Sequence, residues 1–130
     1  MEFKVGLRGQ AETVVNETNT ATAACSGALP GFGTPFLIAL MERAAWSSLE
    51  SRLDEGQSSV GTKIAISHLA ATPMGMTVRA ESEVTAVDGR RLEFKVTAYD
   101  EAGLIAEGTH ERFVVTADRF LSKAAEKGRK

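Results

Sequence analysis

The chain has almost no cysteine, no long apolar run and no excess of either charge. Its single cysteine, Cys25, cannot form an internal disulfide, and its Cys and His residues lack the spacing of a structural zinc site. We therefore expect a reducing, cytoplasmic location, with no metal and no redox cofactor. The opening segment MEFKVGLRGQ lacks the apolar core of a signal peptide, and no segment approaches the roughly 18 apolar residues that span a bilayer.

Length and charge narrow the possible classes further. The 15 basic and 17 acidic residues are interspersed and leave a formal charge of −2, so no basic surface for nucleic acid is expected. With 130 residues and 43% hydrophobic content, the chain can fill one core but not two. We predict a single domain over residues 1–130 that binds neither nucleic acid nor a membrane.

A long apolar helix is predicted near the middle of the sequence. Thr34 followed by Pro35 is a helix start signal, with the hydroxyl as N-cap and the proline at the first helical position. The helix is expected to end near Leu53. Its first half is apolar nearly all round, so other elements must cover it.

Strands are predicted on both sides of this helix. Residues 9–24 indicate an irregular strand before it, and a short helix is expected around Phe120 and Leu121. Alternating apolar and polar residues predict four later strands, from Val60 to Ala70, Met76 to Ala86, Arg91 to Tyr99, and Leu104 to about Thr116. These four strands are expected to form an antiparallel meander. The simplest packing curls the sheet around the helix, which is the hotdog fold of the α+β class. Because one sheet covers only part of such a helix, we expect a homodimer or a higher homo-oligomer.

Glu42 and His68 are titratable residues on faces that are predicted to be apolar. Glu42 shares a helix stripe with Ala45 and Leu49. His68 is assigned to the helix-facing side of its strand, together with Val60, Thr62, Ile64, Ile66 and Ala70, and Gly61 to the opposite side. Burial of either charge without a partner costs several kcal/mol, so the pair indicates a site.

Each candidate also has a structural alternative. Glu42 can lie at the margin of its stripe and pair with a surface cation such as Arg43, and His68 can be a hydrogen-bonded core residue. Thr34 can do no more than cap the helix. Its hydroxyl can also lie at the mouth of a cleft, where the positive helix N-terminus favours a developing oxyanion.

Three runs of the sequence resemble the fluoroacetyl-CoA thioesterase family of the hotdog superfamily. They are GTPFLIALMERAAW at 33–46, VGTKIAISHLAATPMG at 60–75 and GTHERFVV at 108–115. The resemblance implies a dimeric acyl-CoA thioesterase in which Thr34, Glu42 and His68 form the catalytic constellation near the subunit interface. Thr34 and Glu42 would activate or position a nucleophile, and His68 would act as proton donor or base. Covalent and water-attack mechanisms both stay open.

The resemblance also implies contacts with the substrate. Gly61 matches a family glycine beside the thioester, where the missing side chain allows close approach. Arg112, in the GTHERF run, would face a CoA phosphate, although an arginine in such a place is often solvated or ion-paired. His110 in the same run is interpreted as structural.

The predicted acyl pocket departs from the family pattern. Phe32 and Phe36, with Leu29, would shape it. The family carries phenylalanines that form a lid before the catalytic threonine, whereas Cys25 and Ala28 occupy the matching positions here and Phe32 is the one aromatic left in that loop. We therefore predict a small or medium acyl-CoA substrate without specificity for fluoroacetyl-CoA.

Two functions outside catalysis stay open at this point. The same pocket can hold an acyl-CoA without turnover, as a binding or regulatory module, or Glu42 and His68 can form an internal pair in a structural subunit. A hydratase of the same fold is disfavoured, because the histidine lies on a strand after the helix and not with an acid at the helix start.

Overall fold

The computed structural model describes residues 2–129, which form one antiparallel sheet and two helices. The strands are β1 (Arg8–Val14), β2 (Gln57–His68), β3 (Thr77–Asp88), β4 (Arg91–Asp100) and β5 (Gly103–Thr116), and the helices are α1 (Thr34–Glu50) and α2 (Ala117–Lys127). The strand order is β1-β3-β4-β5-β2. The predicted order of elements is confirmed, and β3 to β5 form a meander. The prediction that β2 also belongs to the meander is wrong, because β2 pairs with β5 and not with β3. Neither helix is long and apolar enough to cross a membrane.

The core lies between α1 and one face of the sheet. The even-numbered residues from Val78 to Val84 in β3 and from Leu92 to Ala98 in β4 point toward the helix and are buried, as the alternation predicted. The largest of the fully buried side chains include Phe94, Leu37, Met41, Leu49 and Leu92. Full burial of one such side chain stabilises the fold by roughly 1.5–3 kcal/mol.

The helix begins one residue earlier than the Thr-Pro signal suggested. Gly33 is the N-cap, with extended backbone angles, and Thr34 is the first helical residue without any side-chain cap bond. The carbonyl of Gly33 accepts the N–H groups of Phe36 and Leu37 at 3.0 and 2.9 Å. The prediction that Thr34 caps the helix is therefore wrong, and its hydroxyl is available for another partner. The helix also ends at Glu50 and not near Leu53, with Ser51 as C-cap.

The irregular strand expected over residues 9–24 is regular only as far as Val14. After it, Asn16 N–H donates to Asn19 Oδ1 at 2.9 Å, and Asn19 Nδ2 donates to the carbonyl of Val14 at 3.0 Å. Asparagine side chains that bond the local backbone in this way favour turns over strands. The loop then returns to the fold through an isolated bridge between Thr20 and Phe32.

A β-bulge in β2 changes which residues face the helix. The register against β5 shifts between Gly61 and Lys63, so Thr62 is an extra residue in the strand. Before the bulge, Ser59 and Gly61 face the helix side, whereas Thr62 bonds the carboxylate of Glu111 at 2.7 Å. The predicted helix-facing side was therefore wrong for Val60, Thr62 and Gly61. It holds for the later positions Ile64, Ile66 and His68.

The C-terminal helix is longer than predicted. α2 extends from Ala117 to Lys127 and includes the first two residues of the charged run EKGRK. Its apolar residues Phe120 and Leu121 are 44% and 63% exposed, so α2 adds little to the core.

α1 packs closely against the sheet at Gly9 of β1. A Cβ atom at this position would overlap the carbonyl oxygen of Ala44 and lie 2.7 Å from Cβ of Ser48. We therefore expect Gly9→Ala to push the helix away from the sheet and to lower the free energy of unfolding by about 1–3 kcal/mol. Urea denaturation followed by circular dichroism measures this loss. The control is Gly27→Ala, whose Cβ would meet Ala21 Cβ at an ordinary 3.4 Å, and equal stability of the two variants would contradict the packing described.

Candidate active site

Thr34 and His68 meet where the start of α1 lies beside the end of β2. Oγ1 of Thr34 is 2.8 Å from Nδ1 of His68. The loop before the helix is fixed on both sides, because Phe32 N–H donates to the carbonyl of Thr72 at 2.9 Å and Gly33 N–H to that of Asn19 at 3.0 Å. When Nδ1 is unprotonated, it accepts the hydroxyl proton, so the imidazole is placed to act as a base toward this hydroxyl.

The second ring nitrogen of His68 has no partner among residues 2–129. Nε2 is buried and makes no hydrogen bond. An unpaired buried polar atom costs about 1–3 kcal/mol, and such atoms in native proteins call for a functional explanation. If Nδ1 accepts the proton of Thr34, Nε2 carries its own N–H, and the missing partner is an acceptor.

Glu42 belongs to a second group of residues, further along α1. This Glu42 cluster also contains Ser59, Gly61, His110 and Arg112. Glu42 lies eight residues after Thr34, or about 12 Å along the helix axis. Its Oε2 is 3.6 Å from Nη1 of Arg112, and the two side chains are 40% and 7% exposed. Glu42 is therefore at the margin of the buried stripe, between buried Ala45 and exposed Trp46, and its cation is Arg112 and not Arg43.

Arg112 is held from several directions inside this cluster. Its Nε donates to Oγ of Ser59 at 2.9 Å, Nη2 donates to the carbonyl of Ser59 at 3.0 Å, and Nη1 lies 3.3 Å from Nε2 of His110. Burial lowers the pKa of Arg112, and the charge of Glu42 opposes this shift. The guanidinium faces Glu42 in this position, and its expected contact with a CoA phosphate stays a prediction.

Gly61 has no side chain, which leaves room for the side chains of Glu42, Arg112 and His110 to approach one another. A Cβ atom here would lie 2.8 Å from Oε2 of Glu42, and 3.3 Å from both Nη1 of Arg112 and Cε1 of His110. The bulge in β2 turns Gly61 toward the helix, so the missing side chain gives these three groups room.

His110 is the residue of this cluster that sequence reasoning set aside. It is 3% exposed, and its Nδ1 lies 2.8 Å from the carbonyl of Lys63. The signal was present in the period of β5, because His110 and Arg112 alternate in step with buried Ala106 and Val114. Burial lowers the pKa of His110, and the bond to Lys63 opposes that shift.

The expected pocket residues lie in different surroundings. Phe32 is 4% exposed and belongs to the core, whereas Phe36 is half-buried and packs against the core from its edge. Leu29 is 76% exposed on the preceding loop. A single chain therefore presents Phe36 and Leu29 to a ligand but almost none of Phe32.

One chain brings together Thr34 and His68, but not Glu42. Gly61, beside Glu42, and His68, the last residue of β2, are roughly 20 Å apart along the strand at about 3.3 Å per residue. Two surface concavities lie elsewhere, on the outer face of the sheet. One has a volume of about 520 Å³ beside Arg8 and Glu81, and another of about 640 Å³ lies beside Lys95 and Glu107.

Comparison with known proteins identifies the family. The sequence pattern of the fluoroacetyl-CoA-specific thioesterase family matches residues 15–118, which include both clusters. The fluoroacetyl-CoA thioesterase of Streptantibioticus cattleyicolor is 42% identical over 96 residues, which cover 74% of this chain and 69% of that protein. The chain belongs to the fluoroacetyl-CoA-specific thioesterase family.

Solved structures related to this thioesterase family confirm the predicted α+β hotdog fold. A variant of the fluoroacetyl-CoA thioesterase in complex with acetyl-CoA matches with a TM-score of 0.89 at 34% identity, covering 96% of this chain and 98% of that chain. A hot-dog-like protein from Thermanaerovibrio acidaminovorans matches with a TM-score of 0.88 at 30% identity, covering 96% and 93% of the two chains.

The contacts of Arg112 predict an effect on stability. Arg112→Met leaves the hydroxyl and carbonyl of Ser59 without their buried donor, so we expect the free energy of unfolding to fall by about 1–3 kcal/mol. The control is Arg91→Met, which removes an arginine that pairs with Glu93 and Glu111 near the surface and should change stability less. Chemical denaturation of both variants measures the difference, and an Arg112→Met protein as stable as the wild type would contradict the described network.

Proposed function

We propose that this chain hydrolyses a small or medium acyl-CoA to the free acid and CoA, in a site built by two copies of the chain. Its family membership shows that it is a thioester hydrolase. The acyl group, the catalytic residues and the oligomeric state are our proposal. The observation that carries it is the 2.8 Å contact between the Thr34 hydroxyl and His68, at the positive end of a helix.

The Thr34–His68 pair supplies the chemistry that thioester hydrolysis requires. His68 takes a proton from the hydroxyl of Thr34, or from a water molecule that this hydroxyl positions, and the resulting nucleophile attacks the thioester carbonyl. The N-terminus of α1 stabilises the negative charge that develops on the carbonyl oxygen. Protonated His68 then returns a proton to the departing thiolate of CoA. When Thr34 itself attacks, its acyl ester is then hydrolysed by a water molecule that His68 deprotonates, which releases the free acid and restores the hydroxyl. When water attacks directly, the acid and CoA are released in one stage, and in both routes His68 is the base.

A second copy of the chain would bring Glu42 to this pair. β2 is an edge strand, and among residues 2–129 only β5 bonds it. If β2 pairs antiparallel with its copy about a two-fold axis at Ala65, Gly61 of one copy lies opposite His68 of the other, because the extra residue at the bulge shifts the register by one. Because Glu42 lies beside Gly61, this pairing would bring Glu42 of one copy close to the Thr34–His68 pair of the other.

The carboxylate of Glu42 would complete a relay of three groups. It would supply the acceptor that Nε2 of His68 lacks, once the atoms that bury this nitrogen in a single chain move aside. A carboxylate beside an imidazole fixes the tautomer and stabilises the imidazolium, as in hydroxyl–histidine–carboxylate triads generally. The exposed side of α1, which carries Trp46 at 41% exposure, would become covered in the same dimer.

The loop before α1 supports a broad acyl specificity. Cys25, Ala28 and Leu29 are all exposed, and Phe32 is the one aromatic residue of this loop and is buried. The loop therefore offers no aromatic ring to close over a two-carbon acyl group. The exposed free thiol of Cys25 also fits the cytoplasmic location that we propose.

A panel of CoA esters, read by release of free thiol, tests this function. We expect turnover of several acyl-CoAs, with fluoroacetyl-CoA preferred over acetyl-CoA by no more than about 10–200-fold, since one small substituent in an open pocket contributes only about 1–3 kcal/mol. On the best substrate, Thr34→Ala, Glu42→Gln and His68→Asn should each lower kcat by about 10²–10⁴-fold.

The matched control for these variants is Glu55→Gln, which changes an exposed loop carboxylate and should leave kcat unchanged. Wild-type rates in Glu42→Gln and His68→Asn would refute the assigned site. Tight binding of acyl-CoA without thiol release over hours would favour the alternative, a non-catalytic acyl-CoA-binding module.

A further inference from the structure

His110 takes no part in the proposed reaction, although it lies within the Glu42 cluster. It is 3% exposed, and its ring packs against Phe94 with centroids 5.8 Å apart. A buried titratable residue is tolerated when its polar atoms are paired, and both ring nitrogens of His110 have a partner.

The hydrogen bonds of His110 determine its tautomer. The carbonyl of Lys63 can only accept, so the 2.8 Å contact requires the proton on Nδ1. Nε2 then presents a lone pair, which accepts from Nη1 of Arg112 at 3.3 Å. A neutral ring with this tautomer is the one form that satisfies both neighbours.

The nitrogen that His110 holds is also the one nearest to Glu42. Ser59 binds Nε and Nη2 of Arg112, which leaves Nη1 between Nε2 of His110 and Oε2 of Glu42 at 3.3 and 3.6 Å. The missing side chain of Gly61 keeps the space around these atoms free. The position of Nη1 therefore affects the direction in which the Glu42 carboxylate points.

We propose that His110 is a positioning residue for thioester hydrolysis, which holds Nη1 of Arg112 with its unprotonated Nε2 and thereby orients the carboxylate of Glu42. The inference rests on the proposed function of Glu42. A misdirected catalytic carboxylate slows the chemical step more than it weakens substrate binding.

The charges around His110 support a neutral ring. Burial lowers its pKa first, and the charge of Arg112 lowers it further, whereas the Lys63 carbonyl, Glu42 and Glu111 act in the opposite direction. Because the folded pKa is depressed, the stability that this group contributes is complete above its ordinary pKa and is lost as the pH falls through the folded value. A protonated Nε2 would also place one N–H against another at Arg112.

Two substitutions of similar shape test the two hydrogen bonds of His110 one at a time. His110→Asn retains a donor near the position of Nδ1 but loses the acceptor for Arg112, and we expect kcat to fall about 10- to 100-fold with KM changed less than about threefold. His110→Gln places an amide oxygen near the position of Nε2, and we expect kcat within about threefold of wild type. In a Glu42→Gln background, His110→Asn should have no further effect, because it acts through that carboxylate.

The outcomes distinguish this inference from the proposed function. If Glu42→Gln is inactive while His110→Asn has wild-type kcat, the positioning role is wrong and the site stands. Equal loss of kcat in both His110 variants, in proportion to their loss of thermal stability, also refutes positioning. A fully active Glu42→Gln overturns both proposals. The ¹⁵N shifts of the wild-type histidines give a test that needs no variant, since a proton on Nε2 of His110 at neutral pH would exclude the described bond.

Discussion

The hydrogen bond between Thr34 and His68 is the contact on which the interpretation of this chain depends. It joins the first residue of α1 to the last residue of β2. The bond is possible because the extended backbone of Gly33, and not the hydroxyl of Thr34, caps the helix. A hydroxyl that capped its own helix would be occupied by backbone N–H groups. Here it faces an imidazole at the positive end of the helix dipole, where a nucleophile and an oxyanion both gain stability.

The arrangement of the Glu42 cluster follows from a different physical constraint. A buried guanidinium is unfavourable unless nearby groups pair with it. Arg112 is compensated by Ser59, by the lone pair of His110 and by the nearby carboxylate. These partners meet above Gly61, whose backbone the bulge in β2 turns inward. The carboxylate is therefore fixed beside Gly61 in the first half of β2, while the imidazole is at the end of this strand. A two-fold axis at Ala65 is the simplest operation that brings these two positions together.

Much of the fold could be predicted from the sequence, because the periods of α1, β3, β4 and β5 are long and regular. The wrong predictions concern features that depend on contacts with distant parts of the chain, which a local sequence pattern does not show. The bulge at Thr62 reverses the faces of β2, and nothing in a period-two pattern indicates where an extra residue is inserted. The Thr-Pro signal favoured a capping hydroxyl, whereas the tertiary contact with His68 decides its role. The partners of His110 depend on which strand pairs with β5, and the local sequence pattern does not determine that pairing.

The central claim is that each site takes Thr34 and His68 from one copy and Glu42 from the other. The direct test is a heterodimer of a Glu42→Gln chain and a His68→Asn chain, co-expressed with different tags and purified through both. Each variant alone should be inactive. The heterodimer contains one intact site of two, so we predict about half of the wild-type kcat per dimer. A heterodimer as inactive as its parents would contradict the shared site and place all three groups within a single chain.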